Sequence, residues 1–267
     1  MSEPAPPRPD DPSRSAEGVP PPPDWGRGET RQDGTRLLAP APWKAIETIP
    51  VFLIAVVTAG ILAAPVALLP RRLCSARNIL VTLIGELAFA GAVVLWVRRV
   101  KKVPVAALGL PRRPWGDVGA GIAGGAVLIV IGGILGVIVN SIATRILGHS
   151  PTQPEQVASC VRGGGLVAMA PVVILAAPLG EETFFRGFLY RGLRRRFSVW
   201  PAAIISGVAF GAVHFAGPSF LLLIPPLIVV GMGLAWVYER RQSLLASMAA
   251  HATFNLVGIL FIAANRR

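Results

Sequence analysis

Fourteen uncharged residues, LVAMAPVVILAAPL, lead into two adjacent glutamates, Glu181 and Glu182, with Arg186 four residues after the second. A charge at bilayer depth costs about 3 kcal/mol or more, so charges inside an apolar segment mark functional sites. Glu182 and Arg186 stand at i and i+4 with the acid on the N-terminal side, the favourable order for an ion pair on one helix face. Glu181 lies about 100° around the same helix and is left over.

Three histidines are available to it. His149 falls in a polar loop and reads as a surface residue. His214 ends FGAVH, which puts Phe210 on its helix face, and His251 begins HATFN, which puts Asn255 on its face. Counted by helix rise from one membrane face, Glu181 and His251 lie about 14 Å deep, and His214 and Asn255 about 20 Å. One acid, two imidazoles and an amide on three segments at similar depth read as one site. A carboxylate and an imidazole together can polarise a water as general base. An imidazole and an amide on another helix can hold the oxyanion of a carbonyl under attack. The chemistry indicated is amide hydrolysis in a wet cavity. A competing design uses Glu181, His214 and His251 as ligands of a divalent metal such as zinc, with one position open for water. Neither G-x-S-x-G nor H-E-x-x-H is present.

The elements that must position these groups are membrane helices. The chain of 267 residues is 53% hydrophobic and only 15% charged, with a mean hydropathy of +0.59. Soluble domains carry about a quarter charged residues. The net charge of +12 does not point to nucleic acid, because its distribution is that of a membrane protein. Residues 1–43 hold five Arg against seven acids, and residues 44–267 hold 21 Lys and Arg against seven acids, clustered in breaks between apolar runs. Residues 1–43 also carry eleven of the 25 prolines and read as a disordered tail, with no apolar core of a secretory signal. Cys74 and Cys160 suggest no disulfide framework.

Seven apolar segments follow, at 49–69, 78–97, 118–142, 166–190, 199–215, 219–237 and 243–263, with six or eight as alternatives because 216–226 reads as broken or re-entrant. Trp43, Trp96, Trp115, Trp200 and Trp236 sit at or near segment ends, as interfacial aromatics do. With seven spans, sixteen basic residues fall on the N-terminal side and seven on the other. The N-terminus is therefore expected in the cytoplasm, of a plasma-membrane protein, with the polar loop 143–165 outside. The expected fold is an all-α polytopic bundle with a central polar cavity, divided into the tail 1–43, N-terminal helices 44–117 and a catalytic region 118–267. Glycines in the third segment read as close helix packing sites. Glu86, alone in GELAFAG, faces the cavity or pairs with a basic neighbour.

The ordered motifs EExxxR (Glu181, Glu182, Arg186), FxxxH (Phe210, His214) and HxxxN (His251, Asn255) resemble those of the CAAX-processing and bacteriocin-processing intramembrane endopeptidases, the CPBP or Abi family. The resemblance covers roughly residues 118–263. It implies Glu181 as the base, assisted by His214, with His251 and Asn255 binding the carbonyl oxygen. It implies Glu182 and Arg186 as supporting architecture, and Phe210 packed beside His214. Members are described both as metalloproteases and as metal-free glutamate proteases. The resemblance further implies a conical cavity open to the cytoplasm and sideways to lipid, and a peptide or protein substrate at the membrane. Alternatives of other classes are a non-catalytic scaffold or bacteriocin-immunity protein, and a transporter using Glu86 and Glu181 as proton relays.

Overall fold

Long runs of Leu, Ile, Val and Ala punctuated by Pro, Gly and basic residues produce helices and, among the described residues, no strand. The computed structural model describes residues 38–109, 114–149, 151 and 161–265. Seven helical segments cross back and forth. They are α1 (Thr48–Ala67), α2 (Cys74–Leu95, continued by a π turn at Trp96–Val100), α3 (Pro114–Leu147), α4 (Gly164–Leu193), α5 (Val199–Val213), α6 (Ile224–Arg241) and α7 (Leu244–Asn265). Five of these are long and apolar enough to cross a bilayer, and α5 is a shorter apolar helix. The protein is an integral membrane protein, all-α among the described residues, which hold the seven segments expected.

Local chemistry sets the ends. α3 begins on Pro114, whose missing N–H costs nothing at the first helical position, with Asp117 in its first turn favoured by the helix dipole. It stops before Gly148, which has a φ of 73°. At 34 residues, α3 takes in the start of the loop expected from 143; residues 152–160 of that loop lie outside the described residues. α5 ends at Val213, a short 3-10 turn at Pro218–Leu222 follows, and α6 begins at Ile224 with Pro225 in its first turn. Of the stretch read as broken or re-entrant, 216–223 is thus a connection and 224–226 open α6. α6 closes on Gln242 in the left-handed region, with its Nε2 donating to the Glu239 carbonyl at 2.7 Å.

α4 is the centre of the bundle, and every residue of Thr183–Tyr190 is buried. The outer faces of α1 and α3 present a belt of apolar side chains, among them Val57, Ile61, Val130 and Val137. In water such a belt would be an aggregation surface; in a bilayer it is the lipid-facing side. The glycine-rich stretch of α3 divides in two. Gly121 and Gly125 press on α7 and Gly124 on Val237 of α6, as expected of packing glycines, whereas Gly119, Gly133 and Gly136 face open space.

α5 and α6 meet at Gly207, where a Cβ would stand 2.7 Å from the Ile228 carbonyl and from Met232 Cγ. Backbone cannot yield there, so Gly207→Val is expected to cost about 1–3 kcal/mol by overpacking. Thermal unfolding in detergent should show a lowered midpoint for Gly207→Val and none for Gly133→Ala.

The segment 38–43, read from sequence as part of the tail, packs on the helices instead. The side chain of Trp43 is fully buried, stacks on Phe188 at 5.0 Å and donates Nε1–H to the Phe188 carbonyl at 2.8 Å. It is therefore not an interfacial tryptophan: α4 supplies the Phe188 ring and carbonyl that hold it inside. Trp115 and Trp200 remain largely exposed. Arg191 donates to the Ala39 carbonyl, Arg195 to that of Ala41 at 2.8 Å, and Leu38 N–H to Gln242 Oε1 at 3.0 Å. Residues 1–37 lie outside the described residues. On this same side run the ion pairs Lys101–Glu47 (3.2 Å), Arg194–Glu239 (3.2 Å) and Arg241–Asp117 (2.9 Å). At the opposite end Cys74 is disulfide-bonded, where the sequence suggested no disulfide framework; the other cysteine of the chain, Cys160, lies outside the described residues.

Candidate active site

The acidic pair sits where α4 departs from α-helical winding. Pro171 and Pro178 each remove a backbone donor, and a π turn at Val172–Ala176 lies between them. A second π stretch, Thr183–Tyr190, begins directly after Glu182. Such widened turns concentrate at functional positions because they re-aim side chains within an otherwise regular helix. Glu182 and Arg186 nevertheless still meet.

Glu182 is completely buried and accepts from three sides: from Arg186 Nη1 at 2.7 Å, from His251 Nδ1 at 2.9 Å, and from Ser247 Oγ. Ser247 Oγ also lies 3.1 Å from the Leu234 carbonyl. Arg186 sends Nη2 to the Gly231 carbonyl at 2.8 Å, and its guanidinium lies over the Phe210 ring at 4.6 Å. A buried carboxylate is tolerable only with such compensation. This knot ties α4 to α5, α6 and α7. Sequence reasoning assigned Glu182 only its pairing with Arg186. It missed the bond to His251 and it missed Ser247. The available signal was the i, i+4 spacing of Ser247 and His251, which puts both on the face of α7 turned to α4.

The Glu182 bond also orients His251. With Nδ1 engaged, Nε2 faces Glu181 Oε2 at 4.0 Å. His214 mirrors it from the end of α5. Its Nδ1 lies 2.7 Å from the Phe210 carbonyl, a bond that needs a proton on Nδ1 and leaves Nε2 directed at Glu181 Oε1, 3.9 Å away. Phe210 packs against both rings, at 4.9 Å from His214 and 5.6 Å from His251. Glu181 thus stands between two imidazoles whose outer nitrogens are pinned. Neither gap is a direct hydrogen bond; each suits a water that bonds both sides.

Glu181, Phe210, His214, His251 and Asn255 line one cavity of about 260 Å³. The convergence expected from sequence is therefore present. Asn255 is anchored by donating Nδ2–H to the Val173 carbonyl in the first π turn, at 2.8 Å. Glu86, from α2, lines the same cavity, so of its two sequence readings the cavity-facing one is realised. Its carboxyl is packed against Gly180, where a Cβ would lie 2.6 Å from Glu86 Oε2. The helices before residue 118 thus form part of the site wall. Among the described residues no group of three or more His, Cys, Asp and Glu side chains is arranged to hold a metal ion. The two Nε2 atoms address different oxygens of Glu181 instead of one shared point, so Glu181, His214 and His251 do not fit the zinc ligand set weighed from the sequence.

This constellation can be set beside known proteins. Residues 163–257, which span Glu181 through Asn255, match the family described as type II CAAX prenyl endopeptidase Rce1-like. Over that stretch the chain is similar to this family. The Rce1-like match starts at the head of α4 and ends within α7, so it contains every motif residue named above. Among curated proteins, the chain is 26% identical over 135 residues to the UPF0177 protein YxdF of Lactococcus lactis subsp. lactis (strain IL1403), covering 47% of this chain and 73% of that protein. It is 32% identical over 91 residues to an uncharacterized 24.3 kDa protein of Escherichia coli, covering 33% of this chain and 42% of that protein. No solved structure matches. The family matched is one of protease-type enzymes.

Proposed function

We propose that the protein is an intramembrane endopeptidase that hydrolyses a peptide bond of a membrane-associated polypeptide with a water activated at Glu181. The observation that carries this reading is the placement of the Glu181 carboxylate between His214 Nε2 at 3.9 Å and His251 Nε2 at 4.0 Å in a cavity. Glu181, assisted by His214, takes a proton from the water as its oxygen adds to the carbonyl carbon. The oxyanion that forms is met by His251, held in place by Glu182 through Nδ1, and by the Asn255 amide. On collapse the C–N bond breaks, and Glu181 returns its proton to the departing nitrogen. Glu182 and Arg186 act through His251 and through helix packing. The basic strap side supports a cytoplasmic N-terminus in the plasma membrane.

The experiment is cleavage by the purified full chain in liposomes, scored by mass spectrometry on lipidated and unlipidated peptides. Loss of one oxyanion donor costs about 10²–10³-fold in kcat. His251→Ala and Asn255→Ala are therefore each expected to lower kcat by about that factor while moving KM far less. A scaffold protein would show no cleavage to lose.

A further inference from the structure

Building on the protease reading, we infer that the cavity opens on the extracytoplasmic side of the membrane and takes an apolar polypeptide segment presented from that side, not a cytoplasmic C-terminus. Two expectations from sequence, a cytoplasmic N-terminus and a cavity open to the cytoplasm, cannot both hold in this fold. On every contributing helix the cavity runs from the acids away from the N-terminal strap. In α2 it takes in Thr82, nearer the Cys74 end than Glu86; in α4, Val173 and Ala177, nearer the Gly164 end than Glu181. In α7 it continues past Asn255 to Ile259 and Ile262, and it is completed by Phe220 and Leu223 from the α5–α6 connection. By the count of crossings, those four places lie on the face opposite the strap. Toward the strap that cavity is closed by Arg186, Phe185, Phe188 and Tyr190, all buried, while a second cavity of about 410 Å³, lined also by Glu86, Glu181 and His214, extends sideways to Phe52 and Val56 of α1.

Which face is which follows from two independent features. Basic residues number sixteen on the strap side and seven on the other, and basic residues are retained in the cytoplasm. Cys74, on the cavity side, is disulfide-bonded, and such bonds persist outside the reducing cytoplasm. The chemistry of the lining narrows the substrate further. The titratable groups in it are Glu86, Glu181, His214 and His251, and the remaining surface is mostly Leu, Ile, Val and Phe. Such walls gain by covering apolar surface, so the residues flanking the scissile bond are apolar.

The test uses the full chain in sealed right-side-out membrane vesicles. Ala216 in the α5–α6 connection and Ser198 in the α4–α5 turn are both exposed. A membrane-impermeant maleimide should label Ala216→Cys in sealed vesicles and label Ser198→Cys only after permeabilisation, with the unreduced wild-type chain as background. The reverse pattern overturns the inference. In the second arm, an apolar reporter segment tethered on the outer face should be cut and the same segment tethered on the inner face left intact. Cutting of the inner reporter alone also overturns it. Correct labelling with neither reporter cut overturns the substrate assignment together with the protease reading, while the orientation stands.

Discussion

Purified Glu181→Gln protein is expected to fold normally and to cleave about 10²–10⁴-fold more slowly than wild type, the range lost with a general base. Gln is isosteric with Glu and keeps a hydrogen-bonding carbonyl, but it cannot accept the proton of an attacking water. The carboxylate also balances two imidazoles at 3.9 and 4.0 Å, so its removal disarms both faces of the site. Glu86→Gln is the informative control. Glu86 shares the cavity yet forms no ion pair with either histidine, so its amide variant should retain most of the activity. Single-turnover rates of the two variants, with unfolding curves to confirm integrity, decide between the acids. Equal loss in both would mean that the base has been assigned to the wrong carboxylate.

Arg186→Met is expected to destabilise the protein by about 3–5 kcal/mol, the cost of stranding one member of a buried ion pair. Both partners are fully buried. Glu182 would keep Ser247 and His251 as hydrogen-bond partners, but its buried charge would lose the guanidinium that pairs with it. Gly231 would lose the donor to its carbonyl, and Phe210 the cation over its ring. The double variant Glu182→Gln with Arg186→Met removes both charges together and should recover part of the loss. Denaturant unfolding of the single and double variants in mild detergent closes the cycle. Additive effects of the two substitutions would show that the residues do not work as a unit. Activity should fall in all three variants, because His251 loses the carboxylate that fixes its ring.

The sequence by itself determined the membrane class, the seven apolar segments and the identity of the residues that meet. These are legible because the bilayer imposes a harsh filter. A span needs a long apolar run, and any Glu, His or Asn inside one stands out against it. Glu182 with Arg186, and Phe210 with His214, are also readable, because i, i+4 spacing on a helix is nearly a contact. Glu86 was visible as an anomaly that either faces the cavity or pairs with a base, and no spacing rule links α2 to α4 to choose between the two.

Only the tertiary structure decided the rest. That Glu182 holds His251 through Nδ1 depends on how α7 lies against α4, a matter of rotation about two helix axes. The π turns around the acids arise where backbone bonding is rearranged, and residue types alone carry no clear mark of it. Trp43 looked interfacial by position, yet the Phe188 ring it stacks on and the Phe188 carbonyl it donates to hold it inside. The direction in which the cavity opens belongs to this second group as well. It depends on where seven tapering surfaces fail to fill space, and packing of that kind is a property of all the helices together.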